Sequence, residues 1–456
     1  MVVSDLRFNV VKPSAGATGT GSNLDPKKMR RIIAEDPDWS LNIVPLLKDL
    51  ALNHIINNFS NNPILKGLHP KDKIKVLDRI DTKIPLTVTS HLVEDEGYWK
   101  RCCKAKWAVC DVSIYDGSWK QMFFERHLEE LIENFVPGKT EDEVVDAAIP
   151  LCSKYVKQLN IRQLLPPVSD SPKSDENISD LGSDAGSEAP SMDHFEFGTL
   201  LEKLPHLEKF KVSYGVRDCG MNFEWSLFHF TQRDCLLLAK SIKSCKHLKK
   251  LCIYKSKVDD EKVRVLISHL LDHPNLTEID FSHNCIGDRG ARAIGKLINN
   301  RCPKLRKVDV YDNIIRSEGA KAIAFALTKN STLQSLNLRL NRLGDEGGQV
   351  LCKALLKNNT LKELNVASNE LTEPTAAILS QVLQSNTSLT SMNLSGNRIG
   401  VDGGKQLQEG MESNKTIVEL DLRLTEAGQE SEYCINLVLK TNQDNAREAE
   451  EAQSKK

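Results

Sequence analysis

Aromatic side chains are scarce in this sequence of 456 residues, because Phe, Trp and Tyr together make up only 5% of it. The chain also lacks an uninterrupted apolar run of about 18 residues, which argues against a transmembrane helix. Asp5 and Arg7 interrupt the apolar start where a signal peptide would continue it. No excess of charge exists either, since 61 Lys and Arg face 62 Asp and Glu. These absences favour a soluble intracellular protein with an aliphatic core that binds no nucleic acid and inserts into no membrane.

The twelve cysteines are scattered and form neither a disulfide framework nor a metal motif. Cys102 and Cys103 are adjacent, and two adjacent cysteines cannot both reach one tetrahedral zinc ion without strain. Other cysteines, such as Cys285, Cys302 and Cys352, occur at apolar positions of the pattern. We expect reduced, buried cysteines that act as small hydrophobic side chains, with no metal and no cofactor.

A repeated motif of the form Leu-x-x-Leu-x-Leu-x-x-Asn-x-Leu dominates the second half of the chain. Successive copies start 28, 29, 28, 28, 28 and 28 residues apart. Two degenerate copies precede them, LEKFKVSYGV from Leu207 and VKQLNIRQLL from Val156. The regular copies are LKKLCIYKSKV from Leu248, LTEIDFSHNCI from Leu276, LRKVDVYDNII from Leu305, LQSLNLRLNRL from Leu333, LKELNVASNEL from Leu361, LTSMNLSGNRI from Leu389 and IVELDLRLTEA from Ile417.

The repeat predicts an α/β solenoid. Alternate Leu residues of each short strand point to one side and are buried, and the Asn ends the strand in a turn. The remaining residues of each copy form a helix. Stacked copies pair their strands in parallel, so we expect a leucine-rich-repeat horseshoe with strands inside and helices outside. The Asn residues then have a structural role.

The sequence divides into segments of different composition. Asp25 and Pro26 are typical of a helix start, and Ser118 with Gln121 and Thr140 with Glu143 match helix capping boxes. We predict a disordered N-terminus (1–24), an all-α domain (25–152), a first degenerate repeat strand (153–168), a flexible acidic Ser-rich linker (169–195), a degenerate repeat with an aromatic insertion (196–247), regular leucine-rich repeats (248–440) and a charged tail (441–456).

Two columns of side chains should line the concave surface, because they alternate with the buried Leu positions. The first contains acids and amides, and the second contains Tyr and Arg, which are enriched at interface hot spots. The alternative is that the first column only hydrates the strand ends. Our candidate protein-binding residues from these columns are Tyr254, Asp280, Asp309, Tyr311, Arg339, Asp421 and Arg423.

An aromatic insertion makes the spacing between the repeats at Leu207 and Leu248 about 13 residues longer than one period. Its sequence, DCGMNFEWSLFHFTQRDC, concentrates rings in a chain that has few. The insertion either caps the edge of the solenoid or forms a docking site, for which Trp225 and Phe228 are the candidates.

No catalytic constellation appears in the sequence. Phosphate-binding, zinc-protease and nucleophile-elbow motifs are all missing, and His283 has no nucleophile at a corresponding position. We therefore predict a protein that is not an enzyme.

The repeats resemble the ribonuclease-inhibitor-like class of leucine-rich repeats. In addition, the blocks DPDWSLNIVPLLKDLALNHIINNF, EGYWKRCCKAKWAVCDVS, GSWKQMFFERHLEELIE and RDCGMNFEWSLFHFTQRDC are similar to the leucine-rich-repeat subunits of the nexin–dynein regulatory complex of motile cilia. The similarity extends from about residue 30 to residue 440. It implies a scaffold of the axoneme, in the cytoskeleton, that contacts other subunits of the complex and, through the complex, dynein and doublet microtubules.

Two alternatives remain open at this point. The stretch IPLTVTSHLVEDEGYWKRCCKAKW followed by SWKQMFFERHL is similar to the end of an F-box, which implies a substrate receptor of a ubiquitin ligase. Its Leu-Pro opening is only partly matched at Ile84-Pro85-Leu86. A GTPase activator built on 28-residue repeats would need an exposed catalytic Arg and usually carries a long acidic tail, whereas this tail is short and mixed in charge.

Overall fold

The computed structural model describes residues 30–31, 43–44, 46–167, 193–222, 225–299 and 302–454. The N-terminus predicted to be disordered (1–24) and the acidic linker up to residue 192 lie outside these residues. The chain divides into two compact units, with the boundary between Tyr98 and Trp99. The division therefore falls inside the stretch 25–152, for which the sequence predicts a single domain.

In its described residues, the first unit contains a small antiparallel strand pair, three helices and the first residues of a fourth. Its buried side chains include Phe59, Val76 and Ile80. The helix start predicted at Asp25 lies outside the described residues, and residues 30–31 form a strand that pairs with residues 43–44. The elements are β1 (Arg30–Arg31), β2 (Ile43–Val44), α1 (Leu47–Asn57), α2 (Pro70–Arg79) and α3 (Leu86–Leu92).

Three further helices lie between α3 and the repeats in the described part of the chain. They are α4 (Glu96–Lys106), which contains the point of division, α5 (Trp119–Glu133) and α6 (Asp142–Cys152). Ser118 caps α5 by accepting the backbone N–H of Gln121 at 3.2 Å, as predicted. The capping box at Thr140 is wrong, because α6 has Glu141 at its cap position and the Thr140 hydroxyl instead accepts the backbone N–H of Val136.

Nine strands in the described part of the second unit form one parallel sheet in strict sequence order. The fold class predicted for the repeats is therefore confirmed. The degenerate copies supply the first two strands. The strands are β3 (Gln158–Ile161), β4 (Lys209–Val212), β5 (Lys250–Ile253), β6 (Glu278–Asp280), β7 (Lys307–Asp309), β8 (Ser335–Asn337), β9 (Glu363–Asn365), β10 (Ser391–Asn393) and β11 (Glu419–Asp421).

Helices alternate with these strands and pack over their buried side chains. Leu364 of β9 and Met392 of β10, for example, share a small apolar space with Leu351 and Leu379 of the flanking helices. The helices are α7 (Gly198–Glu202), α8 (Gln232–Ser244), α9 (Asp260–Leu270), α10 (Asp288–Ile298), α11 (Ser317–Leu327), α12 (Gly344–Leu355), α13 (Glu373–Ser385), α14 (Gly400–Met411) and α15 (Gln429–Ser454). The segment predicted as a charged tail continues α15.

A ladder of buried asparagines ends the strands, as the sequence predicts. The amide nitrogen of Asn341 donates to the carbonyl of Val310 in the preceding repeat at 3.0 Å and to that of Leu338 at 2.9 Å. Its amide oxygen accepts the backbone N–H of Ile315 at 3.0 Å. Each amide thus pairs backbone groups of two repeats that would otherwise be buried without partners. The ladder contains Asn284, Asn313, Asn341, Asn369 and Asn397.

A second asparagine ladder lies at the opposite ends of the strands, where the helices end. It was not predicted from the sequence. Asn358 donates to the carbonyls of Leu327 and Asn330 and accepts the backbone N–H of Leu361. The same 28-residue recurrence could have revealed this ladder. Its members are Asn330, Asn358, Asn386, Asn414 and Asn442, and His273 occupies the equivalent position earlier in the array.

Helix α5 covers the free edge of β3 with glutamates spaced four residues apart. One oxygen of Glu125 accepts the backbone N–H groups of Lys157 and Gln158 at 2.8 and 3.0 Å. Glu129 and Glu133 accept the next available N–H groups, those of Asn160 and Arg162, each at 2.7 Å. A helix with carboxylates on one face thus supplies the acceptors that another strand would otherwise provide. This edge contact explains why α5 belongs to the same compact unit as the repeats.

Burial changes the titration of these carboxyls. It raises the pKa of Glu125 to about 7 and that of Glu129 to about 8, although the backbone N–H groups act in the opposite direction. The second carboxylate oxygen of Glu125 is buried and has no hydrogen-bond partner among the described residues, which agrees with a group that keeps its proton near neutral pH.

We predict that Glu125→Gln flattens part of the pH dependence of stability. The folded state holds the Glu125 proton up to about pH 7, whereas the unfolded chain releases it near 4.5, so stability declines as pH rises between these values. Urea unfolding should show the wild type losing about 2 kcal/mol more than the variant between pH 5 and pH 8. Glu412→Gln, at an exposed position, is the control, and parallel profiles for wild type and Glu125→Gln would contradict the prediction.

Candidate protein-binding surface on the sheet

We define the sheet face as the strand side chains that alternate with the buried ones. Each strand with its following turn forms one rung of the array, and the parallel register aligns these side chains in columns across the rungs. Two columns were predicted from the sequence, and a third, at the first position of each strand, was not. The third column is Gln158, Lys209, Lys250, Glu278, Lys307, Ser335, Glu363, Ser391 and Glu419.

The acid and amide column has a local structural role. One carboxylate oxygen of Asp280 accepts the backbone N–H of Ser282 at 3.0 Å, and Asp309 does the same for Tyr311. Asn337, Asn365 and Asn393 repeat this bond two residues on, as does Asp421. The bond turns the chain at the strand end, which is a usual role of Asx side chains. In each of these side chains one oxygen is therefore used within the fold, and partner binding by this column stays a prediction.

The second oxygens of these acids pair across the rungs. Asn337 donates to Asp309 at 3.0 Å, and Asn393 donates to Asp421 at 3.1 Å. Burial raises the pKa of Asp309 above its ordinary value. The Arg423 guanidinium, which binds both oxygens of Asp421 at 2.9 and 2.6 Å, lowers the pKa of that carboxyl. These acids are therefore largely satisfied within the sheet.

The Tyr and Arg column contains one cluster whose side chains take no part in the hydrogen bonds that end the strands. The Arg339 guanidinium carbon lies 5.5 Å from the centre of the Tyr311 ring, and Arg339 is exposed. The ring of His283 meets Tyr311 edge-on at 4.7 Å, and its Nδ1 lies 2.6 Å from a carboxylate oxygen of Asp312. We call Tyr311, Arg339, His283 and Asp312 the Tyr311 cluster. It joins an aromatic ring with groups of both charges on adjacent rungs.

The other predicted members of the column lie apart from this cluster. Arg423 is three rungs away from Arg339 and holds Asp421. Tyr254 lies two rungs from Tyr311, on the side away from Arg339. The ammonium of Lys211 lies 4.2 Å from the centre of the Tyr254 ring. The predicted residues thus form separate groups along the sheet, not one patch.

The aromatic insertion is anchored to the array through Phe230. This ring is buried and lies 4.2 Å from that of Tyr214, which follows β4. Phe228 packs closely on the backbone at Gly215, where an added Cβ would come within 2.7 Å of its ring. Residues 225–228 form a 3₁₀ turn, and the side chain of Trp225 is outside the described part. Docking by Trp225 and Phe228 remains a prediction.

The described residues hold no group of three or more His, Cys, Asp or Glu side chains arranged to bind a metal ion. None of their helices is long and apolar enough to cross a bilayer. All twelve cysteines are described and unbridged, and most are buried. Cys285 is an exception to the prediction, because it is exposed in the turn after Asn284.

Several curated proteins similar to this chain have the same name. The chain is 53% identical over 310 residues to a protein of Macaca fascicularis named dynein regulatory complex subunit 5, covering 68% of this chain and 62% of the relative. A mouse protein of the same name is 54% identical over 271 residues, covering 59% and 54%. One from Chlamydomonas reinhardtii is 31% identical over 225 residues, covering 49% and 51%. The chain thus spans between half and two thirds of these relatives' lengths, and the resemblance seen in its sequence is confirmed.

The leucine-rich-repeat family model matches residues 272–295, 301–324, 329–352, 357–374 and 385–407. Among solved structures, the chain is similar to the actin-binding site 2 of leiomodin-1, at 21% identity and a TM-score of 0.33 over 35% of this chain and 94% of that one. An internalin of Listeria monocytogenes is 16% identical, with a TM-score of 0.33 over 52% and 67%. The repeat fold rests on the strand register and the family match rather than on these scores.

We predict that the Tyr311 cluster can be altered without unfolding the array. Arg339→Ala should change the free energy of unfolding by less than about 0.5 kcal/mol, because the side chain is exposed. Asn341→Ala should cost about 2 kcal/mol, because it leaves buried backbone groups without partners. Urea unfolding followed by circular dichroism measures both variants, and equal losses would contradict the separation of surface from scaffold.

Proposed function

We propose that this chain is a non-enzymatic scaffold subunit of the dynein regulatory complex of the ciliary and flagellar axoneme. Through protein–protein contacts of its leucine-rich repeats, it would help to link doublet microtubules and to regulate dynein-driven motility. The observation that carries the proposal is the 53% identity over 310 residues to a protein named as subunit 5 of that complex. The other subunits of the complex are then its partners.

The geometry supports a scaffold role because the binding surface is formed before any partner arrives. Buried amides connect each rung to the next through backbone hydrogen bonds, so the spacing of side chains on the sheet face is set by the fold. A preformed surface loses little conformational entropy on binding. The Tyr311 cluster adds the residue types that usually dominate interfaces.

A non-catalytic role agrees with the chemistry of the sheet face. Its acids are used in turns and in cross-strand pairs, and the Arg423 guanidinium is held by Asp421. None of these contacts resembles a nucleophile with its base, or a pair of carboxyls held at different protonation states for acid–base catalysis. The groups fit recognition.

We expect a tagged version of the chain to remain on axonemes after detergent extraction of ciliated cells and to leave them only in high salt. Dynein regulatory complex subunits should co-purify with it. Mass spectrometry of the extracts measures this. A detergent-soluble pool that carries a cullin adaptor would contradict the proposal and favour the F-box-like alternative.

Reversing charge within the Tyr311 cluster should weaken partner recovery. We predict that Tyr311→Ala combined with Arg339→Glu lowers recovery of the complex subunits several-fold, because it removes an aromatic anchor and inverts the charge beside it. Lys405→Glu, an exposed change on α14, gives the same change of charge and should leave recovery unchanged. Full recovery with the double variant would move the interface away from this cluster.

A further inference from the structure

Basic side chains collect at the strand starts of the early repeats, apart from the Tyr311 cluster on which the proposed function relies. We define the basic rim as the exposed Lys, His and Arg side chains at or just before the starts of β3, β4, β5 and β7. In the late repeats the same positions are mostly Ser, Thr, Asn or Gln. The basic rim consists of Lys154, Lys157, Lys203, His206, Lys209, Lys246, His247, Lys249, Lys304, Arg306 and Lys307.

Backbone hydrogen bonds set the spacing of these cations. The backbone N–H of Glu208 donates to the carbonyl of Lys157, and that of Lys249 donates to Glu208, so the positions just before neighbouring strands are adjacent. Neighbouring strands lie about 4.8 Å apart, so the rungs from β3 to β7 span about 19 Å. A segment of about six extended residues would cover this distance.

A groove of about 460 Å³ follows this part of the rim. Its lining includes Lys154, Lys157, His206, His247 and Lys249, with Glu208 as its one acid. Glu208 lies 2.7 Å from the ammonium of Lys249 and neutralises it. The groove therefore keeps an excess of positive charge.

Part of the rim is neutralised within the chain and part is not. Lys157 pairs with Asp116 at 3.2 Å, and Lys203 pairs with Asp146 at 3.0 Å. Lys154, Lys209 and Lys246 are exposed and form no ion pair with a described residue. These three ammonium groups give the rim charge that a partner can neutralise.

The adjoining sheet face restricts what that partner can be. Its C-terminal half carries Asp309, Glu363, Glu419 and Asp421, and the whole chain has a net charge of −1. A nucleic acid would need a broad positive field and would be repelled by these acids. A short acidic peptide segment can use the rim alone.

We propose that the basic rim is a docking site for an extended acidic segment, rich in Glu or Asp, of a partner protein. The inference deepens the proposed scaffold role by giving the chemistry of one contact. Its test uses only the purified chain, so a failure of this inference is distinguishable from a failure of the axonemal role. Rim lysines pair with the acidic side chains of the segment, and the groove accommodates its backbone.

The test uses the purified full chain and a fluorescein-labelled peptide of twelve glutamates, followed by fluorescence anisotropy at 50 mM and 300 mM salt. A Gly-Ser peptide of the same length is the neutral probe. We expect saturable binding of the glutamate peptide that weakens at least tenfold at the higher salt, because screening shortens electrostatic interactions. No binding of the glutamate peptide at 50 mM salt, or equal binding of the neutral peptide, would overturn the proposal.

Two triple variants locate the site. The rim variant changes three rim residues together to Glu, namely Lys154, Lys209 and Lys246, and should weaken binding of the glutamate peptide at least tenfold. The control variant makes the same change at Lys362, Lys405 and Lys415 and should alter binding less than twofold. All six are exposed, and both variants change the net charge equally. Matching unfolding midpoints confirm that both variants fold. Equal losses in both variants would overturn the proposal, as would tighter binding of a twelve-nucleotide single-stranded DNA at the rim.

Discussion

The repeat array depends on one constraint, which is that the backbone groups at the strand ends are buried and must be hydrogen-bonded. A strand of three or four residues pairs with its neighbours over only a few bonds, and the turns that follow would leave N–H and C=O groups without partners. The buried amide of Asn341 supplies both a donor and an acceptor to two repeats at once. Because an asparagine recurs at this position in five successive repeats, the strands keep their spacing across that part of the array.

The two ends of the array solve the edge problem differently. At β3, the carboxyls of α5 accept the free N–H groups of the edge strand, and their burial makes protonation near neutral pH part of the folding equilibrium. At β11, the long helix α15 supplies amides instead. Asn442 donates to the carbonyls of Asn414 and Ile417, and Gln443 donates to that of Val418. The glutamates of α5 thus protect the β3 edge from pairing with a further strand, whereas the amides of α15 bind carbonyls that precede β11.

With the backbone satisfied internally, the outer side chains are free to vary, and their charge differs along the array. The array places basic groups at the strand starts of the early repeats and acidic groups on the sheet face of the later ones, while the Tyr311 cluster lies between them. A surface of this kind offers partners two electrostatic environments at a fixed separation, which suits a scaffold that joins several proteins. The net charge of the chain, −1, does not reveal this separation of basic and acidic groups.

The repeat fold, its parallel strands and the structural role of the first asparagine ladder follow from the amino-acid sequence, because a regular 28-residue period leaves each buried position only one kind of environment. The sequence also identified Tyr311 and Arg339 as surface residues. The contacts of the folded chain were needed to show that Arg423 is held by Asp421, that Cys285 is exposed and that the α5 glutamates cover the edge of the sheet. These features depend on contacts between residues whose separation in sequence follows no period, or on the local direction of a turn. A repeat pattern specifies the stacking of the rungs, whereas the pairing of individual side chains is determined by distances that exist only after the rungs have stacked.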